Sequence, residues 1–334
     1  MDQTVFLFLL SDGVISGAIY ALIAVSLVLT FNVTRVIAVF VGELAVFAPL
    51  TYAVLLTGKV PGTVWLSAAM LVLWAGLERE RPRTALPLLG AAGATVGLAY
   101  LTASATSPWL LWPAAVLLVL PIGAAAYRVF YQPKLSETVL FLLIQAVGIH
   151  FVLQGLGLVF FGPEQLRPPP LLRGTITLLG VPVARQALLV LLFAFLVLAL
   201  LGWLFNFTVI GKALRASAMN RRGAMLMGID PFRAGMTAFL LTSLVAGVAG
   251  MLVAPITNVA YYSGFSLGIK GFVVAILAGF ASYPLVIAGA LFMALVESFS
   301  AFYASAYREV LVFALILPVL FWRSVATLDL GGDE

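Results

Sequence analysis

Polar side chains within long apolar runs are the residues of this chain that could handle a polar solute. Two carboxylic acids, Glu43 and Glu297, fall in such runs, and a third run carries Gln145, His150 and Gln154. His150 and Gln154 are four residues apart and share a helix face, whereas Gln145 falls on another face. A charge inside a bilayer is costly, so these five residues are candidates for lining a translocation path. Bracing of helices by interhelical hydrogen bonds is the alternative, and the residue types leave both open.

The sequence offers little for covalent or metal chemistry. It has no cysteine and a single histidine, which argues against thiolate sites, a histidine metal centre and a serine–histidine triad. No Gly-x-x-x-x-Gly-Lys-[Ser/Thr] phosphate loop occurs. The close acidic pair Glu78 and Glu80 alternates with arginines and is predicted to be a solvated loop. We therefore expect no catalytic residue, no metal and no cofactor, and energy supplied by a separate ATPase or by an ion gradient.

A basic stretch at 208–231 is too polar to cross a membrane, yet residues 212–227 are mostly good helix formers. Gly228 can end this helix in a left-handed conformation, and Asp230 can cap the next helix with Pro231 in its first turn. The predicted short helix has an apolar face, formed by Leu214, Ala218 and Met225 with Leu226 as a further candidate. Its charged face is formed by Lys212, Arg215, Arg221 and Arg222. A methionine-bearing face suits a protein partner, and an interfacial helix on anionic lipid is the open alternative.

Composition makes lipid the main solvent of the chain. Of 334 residues 63% are hydrophobic and 9% charged, and the mean hydropathy is +1.16, against about 45–50% apolar and about 25% charged in soluble domains. Spans of roughly 20 apolar residues cross a bilayer. The runs 62–77 and 267–282 are weak, so we predict an all-α polytopic bundle of ten or eleven spans in a single transmembrane domain, 1–334. The candidate spans are 5–31, 36–57, 62–77, 85–103, 108–127, 137–161, 186–206, 234–256, 267–282, 285–303 and 307–322.

Basic residues indicate the orientation, because Lys and Arg are retained on the cytoplasmic side. With loop 207–233 inside, twelve basic residues fall inside and six outside, the N-terminus outside and the C-terminus in the cytoplasm. This asymmetry explains the formal charge of +5 better than nucleic-acid binding does. The outer loop 163–185 is predicted to fold as a small hairpin, because residues 175–179 alternate between glycines. The inside set is Arg35, Arg79, Arg81, Arg83, Arg128, Lys134, Lys212, Arg215, Arg221, Arg222, Arg233 and Arg323; the outside set is Lys59, Arg167, Arg173, Arg185, Lys270 and Arg308.

The basic stretch resembles the coupling motif of ABC importer permeases, an alanine-rich helix followed by glycine, isoleucine and aspartate. More specifically, the chain is similar to the branched-chain amino acid permease family. The matching segments occur in the family's order: 13–37, Gly42-Glu43, Tyr131-Gln132-Pro133, Phe161-Gly162-Pro163, 215–230 and 246–250. Three departures leave the substrate open. Ala38-Val39-Phe40-Val41 replaces the family's Asn-Phe-Ala-His, Ala278-Gly279-Phe280-Ala281-Ser282 replaces its glycine-rich turn, and 62–105 looks like a two-span insertion.

The resemblance implies a multi-pass permease subunit in a bacterial or archaeal cell inner membrane. Its expected partners are membrane lipid, a second permease subunit, two ATPase subunits docked on the coupling helices and an extracytoplasmic solute-binding protein. The expected cargo is a branched-chain amino acid, or urea, an amide or a related small polar solute. The alternative from the residues alone is an ion-coupled secondary transporter or channel that uses Glu43, His150 and Glu297.

Overall fold

The computed structural model describes residues 3–105, 107–178, 181–280, 282–315, 317–318 and 321. The helices are α1 Gln3–Thr34, α2 Val41–Leu55, α3 Gly62–Leu77, α4 Pro82–Ala103, α5 Pro108–Ala126, α6 Val139–Phe161, α7 Arg185–Phe207, α8 Val209–Met219, α9 Arg221–Leu226, α10 Pro231–Val253, α11 Ser263–Leu277, α12 Tyr283–Tyr303 and α13 Arg308–Ala314. Strands β1 Thr175–Leu178 and β2 Val181–Ala184 form one antiparallel hairpin. The expected all-α bundle is confirmed, and the predicted outer-loop hairpin is present.

Seven helices within the described part of the chain are long and apolar enough to cross a membrane. Three further apolar helices, α2, α3 and α11, have 15, 16 and 15 residues. At 1.5 Å per residue they are about 22–24 Å long, shorter than the roughly 30 Å hydrocarbon core. The weakness of 62–77 and 267–282 in the sequence therefore reflects short helices. Of the predicted last span, 307–322, the structure describes the short helix α13 and a few following residues.

Helix α2 is shorter than its predicted span, 36–57. The chain leaves α1 through Arg35, which has a left-handed φ of 62°, and becomes helical again only at Val41. The next residue, Gly42, lies so close to Gly264 that a Cβ on Gly42 would stand 2.0 Å from the Gly264 carbonyl oxygen. The break brings α2 against the start of α11, a tertiary contact that the apolar run alone does not reveal.

Small residues bring the central helices together. Gly13 and Gly17 of α1 face the side chains of Leu295 and Leu291 on α12. At Gly250 of α10, an added Cβ would stand 1.6 Å from a carbonyl oxygen of α2. These glycines serve helix packing, because helices this close leave no room for a side chain.

Contacts between loops divide the bundle into two ends. On one end, which we call the hairpin face, loop 163–185 meets the segment that follows α10, through a bridge between Leu166 and Val259. On the other end, the basic-loop face, Arg128 pairs with Glu78 and Phe205 stacks on Tyr283. This grouping agrees with the predicted alternation of loops, while the assignment of each face to a side of the membrane stays a prediction. Ala281, Arg323 and the C-terminus lie outside the described residues.

The prediction that Glu78 lies in a solvated loop is wrong. Its side chain is mostly buried and accepts hydrogen bonds from Nε and Nη2 of Arg128, at 2.9 Å for Nε. The ion pair ties the end of α3 to the end of the α5 span, 50 residues further along the chain. Glu80, by contrast, is exposed, as expected.

Candidate functional site

Glu43 and His150 form a buried pair in the interior of the bundle. The Nδ1 atom of His150 lies 2.9 Å from Oε1 of Glu43, and the two side chains are 2% and 0% exposed. The imidazole also stacks near the ring of Phe265, at 4.9 Å between centroids. The pair joins the first turn of α2 to the middle of α6. No acidic residue lies close to His150 in the sequence, because its partner, Glu43, comes from a helix that is distant along the chain.

Backbone approach at Gly264 makes the space for this pair. A Cβ on Gly264 would stand 2.5 Å from the carboxyl carbon of Glu43. The start of α11 therefore lies directly over the carboxylate. A carboxylate so enclosed in an apolar site depends on its imidazole partner.

Glu297 lies in a second cluster, away from its predicted companions. Its Oε1 accepts hydrogen bonds from Nζ of Lys270 at 2.6 Å and from Nε of Arg308 at 2.9 Å. Its Oε2 accepts one from the Tyr20 hydroxyl at 2.8 Å, and Lys270 also donates to Tyr20 Oη at 3.1 Å. The cluster joins α1, α11, α12 and α13 around a single carboxylate. Two cations thus share one anion.

The two remaining candidates for the translocation path, Gln145 and Gln154, belong neither to the Glu43–His150 pair nor to the Glu297 cluster. Gln145 Nε2 donates to the carbonyl of Phe130 at 2.9 Å, so it makes the interhelical hydrogen bond that was the alternative reading. Gln154 is half-buried one turn beyond His150. The five candidates thus separate into a Glu43–His150 pair, a Glu297 cluster and peripheral amides.

The basic stretch folds as two short helices where one was predicted. Helix α8 begins at Thr208, whose Oγ1 accepts a hydrogen bond from Gly211 N at 3.1 Å. Asn220 is the N-cap of a second helix, α9, and its Oδ1 accepts a hydrogen bond from Gly223 N at 2.9 Å. This cap separates α9 from α8. Gly228 has a φ of 78° and Asp230 caps α10 by accepting from Phe232 N at 2.9 Å, both as predicted. Asparagine is a strong N-cap, which explains the division.

The exposed apolar surface of this loop shares Met225 and Leu226 with the predicted face and differs from it in the other residues. Leu214 is buried against the bundle and Ala218 is half-buried, so neither is a prominent contact. Several large apolar side chains are exposed at this end of the molecule, and among them Met219, Met225, Leu226 and Met227 are 87%, 50%, 89% and 82% exposed. We call these four residues the methionine patch.

Basic residues surround the methionine patch. Lys212 and Arg222 are exposed, whereas Arg215 donates to the side chain of Asn206 at 3.2 Å. The guanidinium of Arg221 lies over the ring of Phe232, 5.6 Å from its centroid. Two of the four predicted basic residues are therefore held against neighbouring helices.

Some site residues were not identified from the sequence. Lys270 and Arg308 were counted only as outer basic residues, although a lysine in an apolar run is itself a signal for a buried partner. Leu226 was a candidate for the apolar face, whereas Met219 and Met227 were not identified, although both are recognisable as apolar residues in a polar loop. The direction in which each of them points depends on the break at Asn220.

A bundle of apolar helices, with buried polar clusters between them and a helical basic loop at one end, defines a polytopic α-helical membrane protein. The chain belongs to the family of branched-chain amino acid transport system permease components, whose model matches residues 81–320.

Curated relatives have the same description. The high-affinity branched-chain amino acid transport system permease protein LivH of Escherichia coli (strain K12) is 29% identical over 223 residues, which is 64% of this chain and 72% of LivH. LivH of Salmonella typhimurium is equally similar, at 29% over 223 residues with the same coverage. BraD of Pseudomonas aeruginosa is 28% identical over 222 residues, again 64% of this chain and 72% of BraD. No solved structure matches this chain significantly.

Proposed function

We propose that this chain is the membrane-spanning subunit of an ATP-driven importer for branched-chain amino acids or a related small polar solute. Its relatives are named as permeases for that cargo. The chain would pair with a second permease subunit and receive solute from an extracytoplasmic binding protein. Hydrolysis of ATP would take place in a separate subunit.

The methionine patch is the observation that carries this proposal. Large, adaptable apolar side chains this exposed are costly in water, and a patch of them marks a protein interface. The methionine patch lies on α8 and α9, and each of these helices has a side-chain cap at its N-terminus. Helix α8 also packs on the bundle through Leu214. Motion of a docked ATPase would therefore be transmitted to α7 and α10 without bending a flexible loop.

Co-purification with the ATPase subunit tests the docking surface. Because Leu226 is the most exposed residue of the patch, we expect Leu226→Glu and Met225→Glu to reduce recovery of the ATPase about tenfold or more, since a hot-spot contact is worth about 2 kcal/mol or more. Leu172→Glu, at an exposed apolar residue on the hairpin face, is the matched control and should leave recovery unchanged. Retention of the ATPase by both patch variants, with normal coupling, would refute the docking surface.

Ion-coupled transport is the second candidate, and the Glu43–His150 pair is the observation in its favour. A carboxylate and an imidazole 2.9 Å apart inside a membrane could exchange a proton. Solute uptake into vesicles separates the two functions. Uptake that needs ATP and survives an uncoupler supports the importer, whereas uptake that continues without ATP and collapses with an uncoupler supports ion coupling.

A further inference from the structure

A cavity of about 450 Å³ opens beside the Glu297 cluster, between α1, α11, α13 and the segment that joins α10 to α11. Tyr20, Lys270 and Arg308 of the cluster line it, together with Asp12 of α1. A second cavity of about 390 Å³ beneath the β hairpin shares Asp12 and three other lining residues with it. The cavity therefore lies on the hairpin face, where solute would enter an importer. Its size is within the usual range for small-molecule sites.

The charges in the cavity suit a zwitterion. Glu297 is the only carboxylate, among the described residues, that forms an ion pair with Lys270 or Arg308, so the cluster carries one cation in excess. Glu297 takes two of the five N–H donors of Arg308, whose side chain is 47% exposed. The guanidinium can therefore bind a second carboxylate while it keeps the first. Asp12, exposed on the same cavity, supplies a negative charge for an ammonium group.

The rest of the cavity lining has an apolar part and a polar part. Ile19, Val253 and Leu267 form an apolar part of the lining. Ser266 is an exposed, small residue that also faces the cavity. An aliphatic side chain could be buried against the apolar part while the charged end of the same molecule meets Arg308 and Asp12.

We propose that this cavity is a solute-binding site of the permease, in which Arg308 and Lys270 bind the carboxylate of an aliphatic α-amino acid and Asp12 binds its ammonium group. The proposal rests on the proposed function as an importer. It adds the residues that recognise the solute within the membrane subunit. Of the five path candidates expected from sequence, only Glu297 belongs to this site. Glu297 is a positioning residue, because it holds both cations without touching the solute.

Equilibrium binding of radiolabelled L-leucine to the purified transporter complex in nanodiscs, without the binding protein, tests the site. Loss of a charge-assisted hydrogen bond corresponds to about a tenfold or larger rise in Kd, which we expect for Arg308→Gln. Ser266→Leu, which fills the cavity, should also weaken binding. Arg185→Gln removes an exposed arginine of the same face that lines neither cavity and should leave the Kd unchanged.

Competition distinguishes a binding role of Arg308 from a structural one. L-leucinamide lacks the carboxylate, so it should compete poorly with leucine on the wild-type complex. In Arg308→Gln the preference for leucine over leucinamide should largely disappear, which a general loss of folded protein would not produce. Full leucine affinity and unchanged preference in Arg308→Gln and Ser266→Leu would overturn the site.

Uptake by the wild-type complex separates failure of the site from failure of the importer. If ATP-dependent leucine uptake proceeds while both variants bind leucine normally, the importer stands and this cavity is not its solute site. If the wild-type complex neither imports nor binds any of leucine, isoleucine and valine, the proposed cargo is wrong and the amino acid site is overturned with it.

Discussion

At the scale of single residues, the bundle buries ionisable groups that are costly to place in apolar surroundings. Burying a charge in a low-dielectric interior costs several kcal/mol per ion, by order of magnitude, unless a partner compensates. Glu43 relies on His150, whereas Glu297 has two cations and a hydroxyl. Glu43 is therefore the more vulnerable of the two to the loss of its partner.

The Glu43–His150 pair predicts a stability effect that depends on both residues. His150→Leu leaves the carboxylate buried without its partner, so we expect a loss of about 3–5 kcal/mol in the free energy of unfolding. Adding Glu43→Gln should recover part of that loss, because a neutral amide is less costly to bury. The unfolding midpoint in detergent measures both variants.

Gln154→Leu is the control for this pair, since it replaces a half-buried polar residue on the same face of α6. It should shift the midpoint only slightly. If His150→Leu has no larger effect than Gln154→Leu, or if adding Glu43→Gln to His150→Leu recovers no stability, the carboxylate does not depend on the imidazole.

At the scale of elements, most helices were predictable because each carries its own signal. Apolar runs gave the spans to within a few residues, and Asp230 with Pro231 marked the start of α10. The hairpin was visible in the alternation after Arg173. The late start of α2 was not predictable, because it accompanies the close approach of Gly42 to Gly264 on a helix far along the chain. Pairs such as Glu43 with His150 likewise depend on how helices are arranged.

The contact between α2 and α11 predicts that Gly42 tolerates no side chain. In Gly42→Ala the new Cβ would meet backbone atoms of α11 at 2.0 and 2.7 Å, so the helices must separate. We expect a large drop in the yield of folded, monodisperse protein. Gly148→Ala on α6, where nothing lies within 4 Å, should be neutral or stabilising by up to about 1 kcal/mol. Size-exclusion profiles after heating compare the two, and equal behaviour would contradict the close approach.

At the scale of the whole molecule, the two ends have different chemistry. The hairpin face carries the two cavities that share Asp12 and the Glu297 cluster, and the basic-loop face carries the methionine patch. The proposed importer would use this polarity, with solute recognition on the side of entry and ATPase contact in the cytoplasm. The excess of Lys and Arg in loops of the basic-loop face predicts that this face is cytoplasmic, because such residues are retained there.

Cysteine labelling tests that orientation without background, because the natural chain contains no cysteine. Single variants Arg173→Cys and Met227→Cys place a thiol in an exposed position on the hairpin face and on the basic-loop face respectively. In intact cells, a membrane-impermeant maleimide should label Arg173→Cys and spare Met227→Cys, and permeabilisation should make both reactive. The unmodified chain is the control for non-specific labelling. The reverse pattern in intact cells would place the methionine patch outside, beyond reach of any cytoplasmic ATPase, and would leave an ion gradient as the energy source.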